Sequence, residues 1–254
     1  NINGALNGYY ADRAIAVAEA ARQNLIDTGV SPDKITVILN GVDGYRKYGG
    51  DEKISAKEEF GVPDNNRVVS IVGRIEEIKG HEYFIKAADT VLRDTENVTF
   101  LIVGTGSLEE KYKGLVRSLG RDGDIIFTGY TDKTEAIMNI TDIIVNASFG
   151  TEATSLSLLE AMSVGVPAVV SDFGGNTGVI DEGKNGFVVP QRDEAALALA
   201  LKRLLADEEL YGQMSVGALR IFGEKFTSIR MTAETEALYL DVIKEKRERS
   251  KHGH

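Results

Sequence analysis

The 254-residue sequence has no cysteine and no tryptophan, only four prolines and only three histidines. Without cysteine there is no disulfide and no thiolate metal site, which fits a reducing cytoplasm. Two of the histidines, His252 and His254, stand in a charged tail. A histidine metal centre or a Ser-His-Asp triad would therefore have to use His81 alone. No apolar run approaches 18 residues and the N-terminus is not signal-like, so a soluble, cytoplasmic protein is expected. Positive charge is also short: 29 Lys and Arg against 39 Asp and Glu leave a net charge of −10. That balance argues against nucleic acid or an anionic membrane surface as the main partner. The chain starts at Asn1 instead of Met and is read as a fragment or processed piece.

What is present is a hydrophobic fraction of 43%, enough for a real core. After a polar, Gly-rich stretch (residues 42–64), apolar runs alternate with amphipathic segments. Strands are predicted at 68–72, 98–103, 125–128, 142–147, 168–171 and 187–189, and helices at 81–93, 132–139, 194–206, 209–222 and 229–249. A further helix is expected to start at a Ser107 cap, as Asp132 is expected to cap the helix that it opens. Upstream, short strands are expected at 13–18 and 34–39 around a helix at 19–28, and one short helix at 55–60. Strand–helix alternation of this kind predicts an α/β fold with a Rossmann-like, doubly wound parallel sheet. The divisions are 1–43, a linker at 44–66, the Rossmann-like domain at 67–223, and a terminal helix with charged tail at 224–254.

In such sheets ligands bind outside the carboxyl ends of the strands. Those ends carry Gly73-Arg74, Gly104-Thr105-Gly106, Gly129-Tyr130, the stretch 148–156 and Asp172 to Asn176. Arg74 and Lys79 are two cations on one strand-to-helix loop, beside Gly73 and Gly80. Paired positive charge next to approachable backbone suits a diphosphate; two solvated surface charges is the plainer alternative. Gly104-Thr105-Gly106 lacks the third glycine of a dinucleotide fingerprint and is read as a turn. Thr154 or Ser155 would cap a helix whose Leu156, Leu159 and Met162 face the core. Glu152 and Glu160 are candidates for gripping ligand hydroxyls, or equally a helix-start charge and an exposed helix glutamate. A glycosidase pair is disfavoured, since both carboxylates belong to one short segment. Gly174-Gly175-Asn176 could be an anion nest or only a turn. For His81, capping or exposure is favoured over catalysis.

Taken together, these motifs resemble those of family 4 retaining glycosyltransferases. The ordered set is Ile35 to Asp43, G-R-x4-K-G (Gly73, Arg74, Lys79, Gly80), V-G-T-G (103–106), F-T-G-Y (127–130), E-x7-E with L-L-E-A-M (152–162), G-V-P (165–167) and N-G-F-V-V-P (185–190). The resemblance implies a GT-B fold, of which this chain would be the second half with a remnant of the first. It implies a UDP- or GDP-sugar donor, no metal or other cofactor, and transfer with retention to a saccharide or lipid acceptor that it does not identify. By the same resemblance Arg74, Lys79 and Glu152 would be catalytic. Gly73, Gly129, Tyr130, Thr154, Ser155 and Leu156 would border the donor, and Glu160 would hold the ribose. Two departures stand out: Glu152-Ala153-Thr154-Ser155-Leu156 replaces the family's E-G-F-G-L, and Gly178 stands where a glutamate is usual. With most of the first half lacking, the chain alone is expected to bind donor weakly and transfer little. Peripheral membrane contact through the missing half, and self-association through an uncovered face around Tyr239, Val242 and Ile243, are further expectations. A non-catalytic nucleotide-binding module and a nucleotide-sugar epimerase are the rival readings.

Overall fold

In the computed structural model, residues 11–150 and 154–252 are described. Two inner strands, β3 (Arg67–Val72) and β4 (Val98–Val103), are mostly Val, Ile, Leu and Phe and are buried on both faces. Such runs suit the middle of a parallel sheet covered on both sides. They are joined by β5 (Ile125–Gly129), β6 (Ile143–Asn146), β7 (Ala168–Ser171) and β8 (Gly186–Val189) in the order β5-β4-β3-β6-β7-β8, all parallel. A separate two-stranded parallel sheet pairs β1 (Ala14–Ala16) with β2 (Ile35–Val37) around α1 (Glu19–Asp27).

The chain builds outward from β3 to β5, returns, and lays β6 on the other side of β3. The helices that follow β3 and β6 therefore pack on opposite faces of the sheet, which makes the carboxyl edge between these two strands the switch point. One face of the sheet is covered by α3 (His81–Val91), α4 (Glu109–Ser118) and α8 (Glu194–Ala206), with Phe84, Phe100, Tyr112 and Leu201 in the core. The other carries α6 (Leu156–Ser163), the short α7 (Asn176–Val179) and α9 (Glu208–Lys225), which bury Leu158, Leu159, Met162, Ile221 and Phe222.

The stretch expected to be a linker contributes to the core. It forms α2 (Gly50–Glu59), longer than the helix expected there, which packs on α5 (Thr134–Ile140). Ala56 and Val62 join Val68, Leu101 and Ile137 in one buried cluster. Further on, the backbone of Val42 bonds both Phe226 and Ser228 at 3.0 Å, seating this segment on the turn into α10 (Ser228–His252). Helix α10 then reaches the small sheet, where Arg13 meets Glu245 at 2.6 Å and Asp12 meets Lys246 at 2.7 Å. Ile229, Tyr239, Leu240 and Ile243 are exposed along it.

Two expected caps are absent. Ser107 instead donates its hydroxyl to Glu76 at 2.9 Å, and α4 starts two residues later. Asp132 is displaced because Thr131 Oγ1 accepts the Lys133 amide at 3.0 Å, so Lys133 occupies the cap position.

Candidate functional site

The carboxyl rim is built backbone against backbone. Gly73 leaves β3 and donates its N–H to Val103 O at 3.0 Å, and Gly104 donates to Gly129 O at 2.9 Å. A Cβ on Gly104 would lie 2.1 Å from Gly73 O, so only glycine lets these strand ends meet. Ile75 N reaches Thr105 O at 2.9 Å and closes the β3 and β4 loops on each other. Gly104-Thr105-Gly106 is thus a packing turn, as its spacing suggests. By contrast, no heavy atom lies within 4 Å of a Cβ built on Gly73, so the ground above it is open to an approaching group.

Lys79 ends a single 3-10 turn (Glu77–Lys79), and Gly80 follows in the left-handed region at φ 74°. A Cβ at position 80 would lie 2.1 Å from Ala147 O at the exit of β6. Two residues earlier, Ile78 O accepts the Phe149 amide at 2.9 Å, and the ideal Cβ position of Gly150 is 2.5 Å from Ile78 Cβ. The cation loop and the β6–α6 loop are therefore one joined unit across the switch point. The Arg74 side chain makes no hydrogen bond or ion pair among the described residues, and the residue is exposed, whereas Lys79 is half-buried and partnered. Glu152 lies outside the described residues. Gly80→Ala is expected to cost about 2–4 kcal/mol, from left-handed strain plus overpacking against Ala147. Urea denaturation measures this; a loss under about 1 kcal/mol would mean that the joint is soft.

Farther along the chain, Ser155 takes the cap position of α6, but its hydroxyl pairs with Ser157 Oγ at 2.9 Å instead of capping. Thr154, just before it, points its hydroxyl to Val17 O at 3.4 Å, just past β1 of the small sheet. Leu156 does not enter the core: it is 49% exposed on the rim, and Leu158 and Ala161 are buried beside Leu159 and Met162. The apolar stripe of α6 is broader than the spacing alone implies, and its first residue precedes the turn that the sheet covers.

Glu160 is half-buried on α6. Burial pushes its carboxyl pKa up, and a hydrogen bond from the Tyr45 side chain holds it back. The Tyr45 hydroxyl also shares a 2.7 Å hydrogen bond with Thr134 Oγ1, at the start of α5 just past the Gly129-Tyr130 turn. Its amide donates to Ser163 Oγ at 3.0 Å, and that hydroxyl donates to Glu160 O at 2.6 Å. Tyr45 thereby links the glutamate to the β5 loop, where Gly129 turns at φ 71° and Tyr130 is 80% exposed. No hydrogen bond or ion pair among the described residues joins Arg74 to Glu160. Sequence reasoning missed Tyr45, Thr134 and Ser163; the signal was an aromatic residue in an otherwise polar, Gly-rich stretch.

Two more expectations are settled here. His81 neither caps nor faces solvent: it is fully buried, its ring stacks with Tyr112 at 6.1 Å, and neither ring nitrogen meets a described partner. Burial pushes its pKa down to about 4, leaving it neutral. The Gly174-Gly175-Asn176 loop is stitched to the sheet, since Asn176 is fully buried and its Nδ2 lies 3.4 Å from Asn146 Oδ1 and from Ser171 O.

The model of the glycosyl transferases group 1 family matches residues 52–219, about two-thirds of the chain. The chain belongs to the group 1 glycosyltransferases. It is 28% identical over 240 residues to an uncharacterized glycosyltransferase of Methanocaldococcus jannaschii, covering 92% of this chain and 61% of that protein. It is 31% identical over 239 residues to the D-inositol 3-phosphate glycosyltransferase of Corynebacterium efficiens, covering 87% of this chain and 56% of that one. Among solved structures it resembles Anabaena HepE in complex with UDP, with a TM-score of 0.85 at 22% identity over 93% of this chain and 65% of HepE. It also resembles sucrose-phosphate synthase from Thermosynechococcus elongatus, with a TM-score of 0.79 at 21% identity over 96% of this chain and 61% of that enzyme. These likenesses show the GT-B fold. The chain spans less than two-thirds of the length of each of these relatives.

Proposed function

We propose that this group 1 glycosyltransferase chain supplies the nucleotide-sugar-binding half of a retaining enzyme that transfers a sugar from a UDP- or GDP-sugar. The single observation that carries this is the joint between the Lys79 loop and the β6–α6 loop, on the same strand edge as the open ground at Gly73; in this reading Arg74 and Lys79 turn their charge toward that ground. A diphosphate there is neutralised by Arg74 as a planar fork and by Lys79 as a point charge. The same charge stabilises the departing nucleoside diphosphate as the glycosidic bond breaks, with no metal needed for that role. Glu160, held by Tyr45, accepts from the ribose hydroxyls, and the Gly129-Tyr130 turn borders the base. Glu152, Thr154, Ser155 and Leu156 face the sugar and phosphates in this reading. The complex of Anabaena HepE with UDP supports the nucleotide assignment by likeness of fold. The acceptor is a saccharide or lipid bound mainly by the other half, and the lack of cysteine suits the cytoplasm.

Calorimetric titration with UDP, GDP and their sugars tests the binding; absence of heat with all of them would defeat the reading. Transfer assays with and without chelator, on this chain and on a longer one, then separate an enzyme from a binding module. In this reading the acceptor is held outside this chain, which spans 61% and 56% of two of its relatives, so little transfer by the chain alone is the expected result. Tyr45→Phe is expected to weaken UDP binding about fivefold, because the hydroxyl that orients Glu160 is worth about 1 kcal/mol. Unchanged affinity would remove Tyr45 from the site.

A further inference from the structure

The loop after β8 contains an outlier. Arg192 adopts φ 59°, the left-handed region, although it is not glycine. Its neighbours fix that turn: Gln191 N donates to Asp172 Oδ1 at 2.9 Å, and Asp193 caps α8 by accepting from Ala196 N at 2.8 Å. A glycine would satisfy the backbone there at less strain, so the side chain must account for the arginine. That side chain makes no hydrogen bond or ion pair among the described residues. Its guanidinium lies over the ring of Phe149, 4.1 Å from the centroid. The edge of the same ring is met by Tyr83 of α3, at 5.8 Å and 87°. Phe149 is the residue whose amide bonds Ile78 O, next to Lys79.

The geometry points to Arg192 as a positioning residue that, with Tyr83, clamps Phe149 and so holds the β6–α6 loop against the Lys79 loop. The clamp spans two loops of one rim, those after β6 and β8, and the first turn of α3, which follows the Lys79 loop. Its effect on ligand is indirect. Arg192 does not touch the diphosphate; it keeps the two loops that do in register. Its functional arm rests on the donor-binding reading above, but its structural arm does not.

Arg192→Gly and Arg192→Asn both accept the left-handed backbone and both remove the stacked cation. Each is expected to leave Tm within about 2–4 °C of the parent, as lost stacking and relieved strain offset. Each should weaken UDP binding about fivefold and speed hydrogen exchange at the Phe149 amide, while Arg192→Lys retains part of the affinity. A double-mutant cycle with Phe149→Leu decides the route: the two changes should be strongly non-additive in UDP affinity. Additive losses would mean that Arg192 contacts ligand directly, and would overturn the clamp. So would parental affinity and parental Phe149 exchange in the glycine variant. If the parent binds no nucleotide, the donor reading fails on its own, and the exchange measurement still decides whether the clamp exists.

Discussion

Replacing Arg74 and Lys79 together with alanine should reduce UDP affinity roughly a thousandfold, to below detection in a calorimeter. Each cation makes charge-assisted bonds to phosphate oxygens worth about 1.5–3 kcal/mol, and both act on one diphosphate. The fold should survive, because Arg74 is exposed, its side chain without a partner among the described residues, and the joint beside Lys79 is made by the backbones of Ile78 and Phe149. Unchanged circular dichroism and Tm would show this. Arg74→Lys should recover only part of the loss, since a point charge cannot reproduce a bidentate fork. UDP affinity equal to the parent in the double variant would take both residues out of the site and with them the proposed mechanism.

Glu160→Gln should separate stability from binding. Burial raises the Glu160 pKa above its unfolded value, so the folded chain holds that proton more tightly than the unfolded one. The resulting stability is fully present below the unfolded pKa, near 4.5, and is lost as pH rises through the folded pKa. At pH 7 the ionised, half-buried carboxylate is a standing cost. The amide variant should therefore melt higher than the parent at pH 7, with the difference shrinking as pH falls toward 4.5. Nucleoside binding should fall about 10–100-fold, because a neutral amide oxygen accepts more weakly from a ribose diol than a carboxylate does. A variant that melts lower at pH 7, or that binds UDP like the parent, would show that Glu160 serves packing and not the ligand.

Where the pattern was local, the sequence was easy to read. The strands at Val98–Val103 and Ala168–Ser171 and the helix Glu194–Ala206 fall where the periodicity places them, because each is long or strongly apolar and bounded by turn residues. The caps at Ser107 and Asp132 failed because short polar side chains found competing partners nearby, Glu76 for one and the Thr131 turn for the other. Burial failed where a residue's surroundings come from distant elements. His81 looks like a polar helix start, yet Tyr112 of the next helix stacks on it and closes it from water.

By itself, the order of apolar runs and glycine turns determined a doubly wound sheet, the rim on which ligand groups gather, and the cysteine chemistry that the protein lacks. These follow from short-range periodicity and turn chemistry, which need no knowledge of which strands are neighbours. Only the tertiary structure decided which groups share a site. Placing β6 beside β3 joins Phe149 to Ile78; folding the 44–66 segment onto the domain brings Tyr45 to Ser163, 118 residues away, and to Thr134, 89 residues away. Those meetings depend on strand order and helix packing, so no local pattern records them.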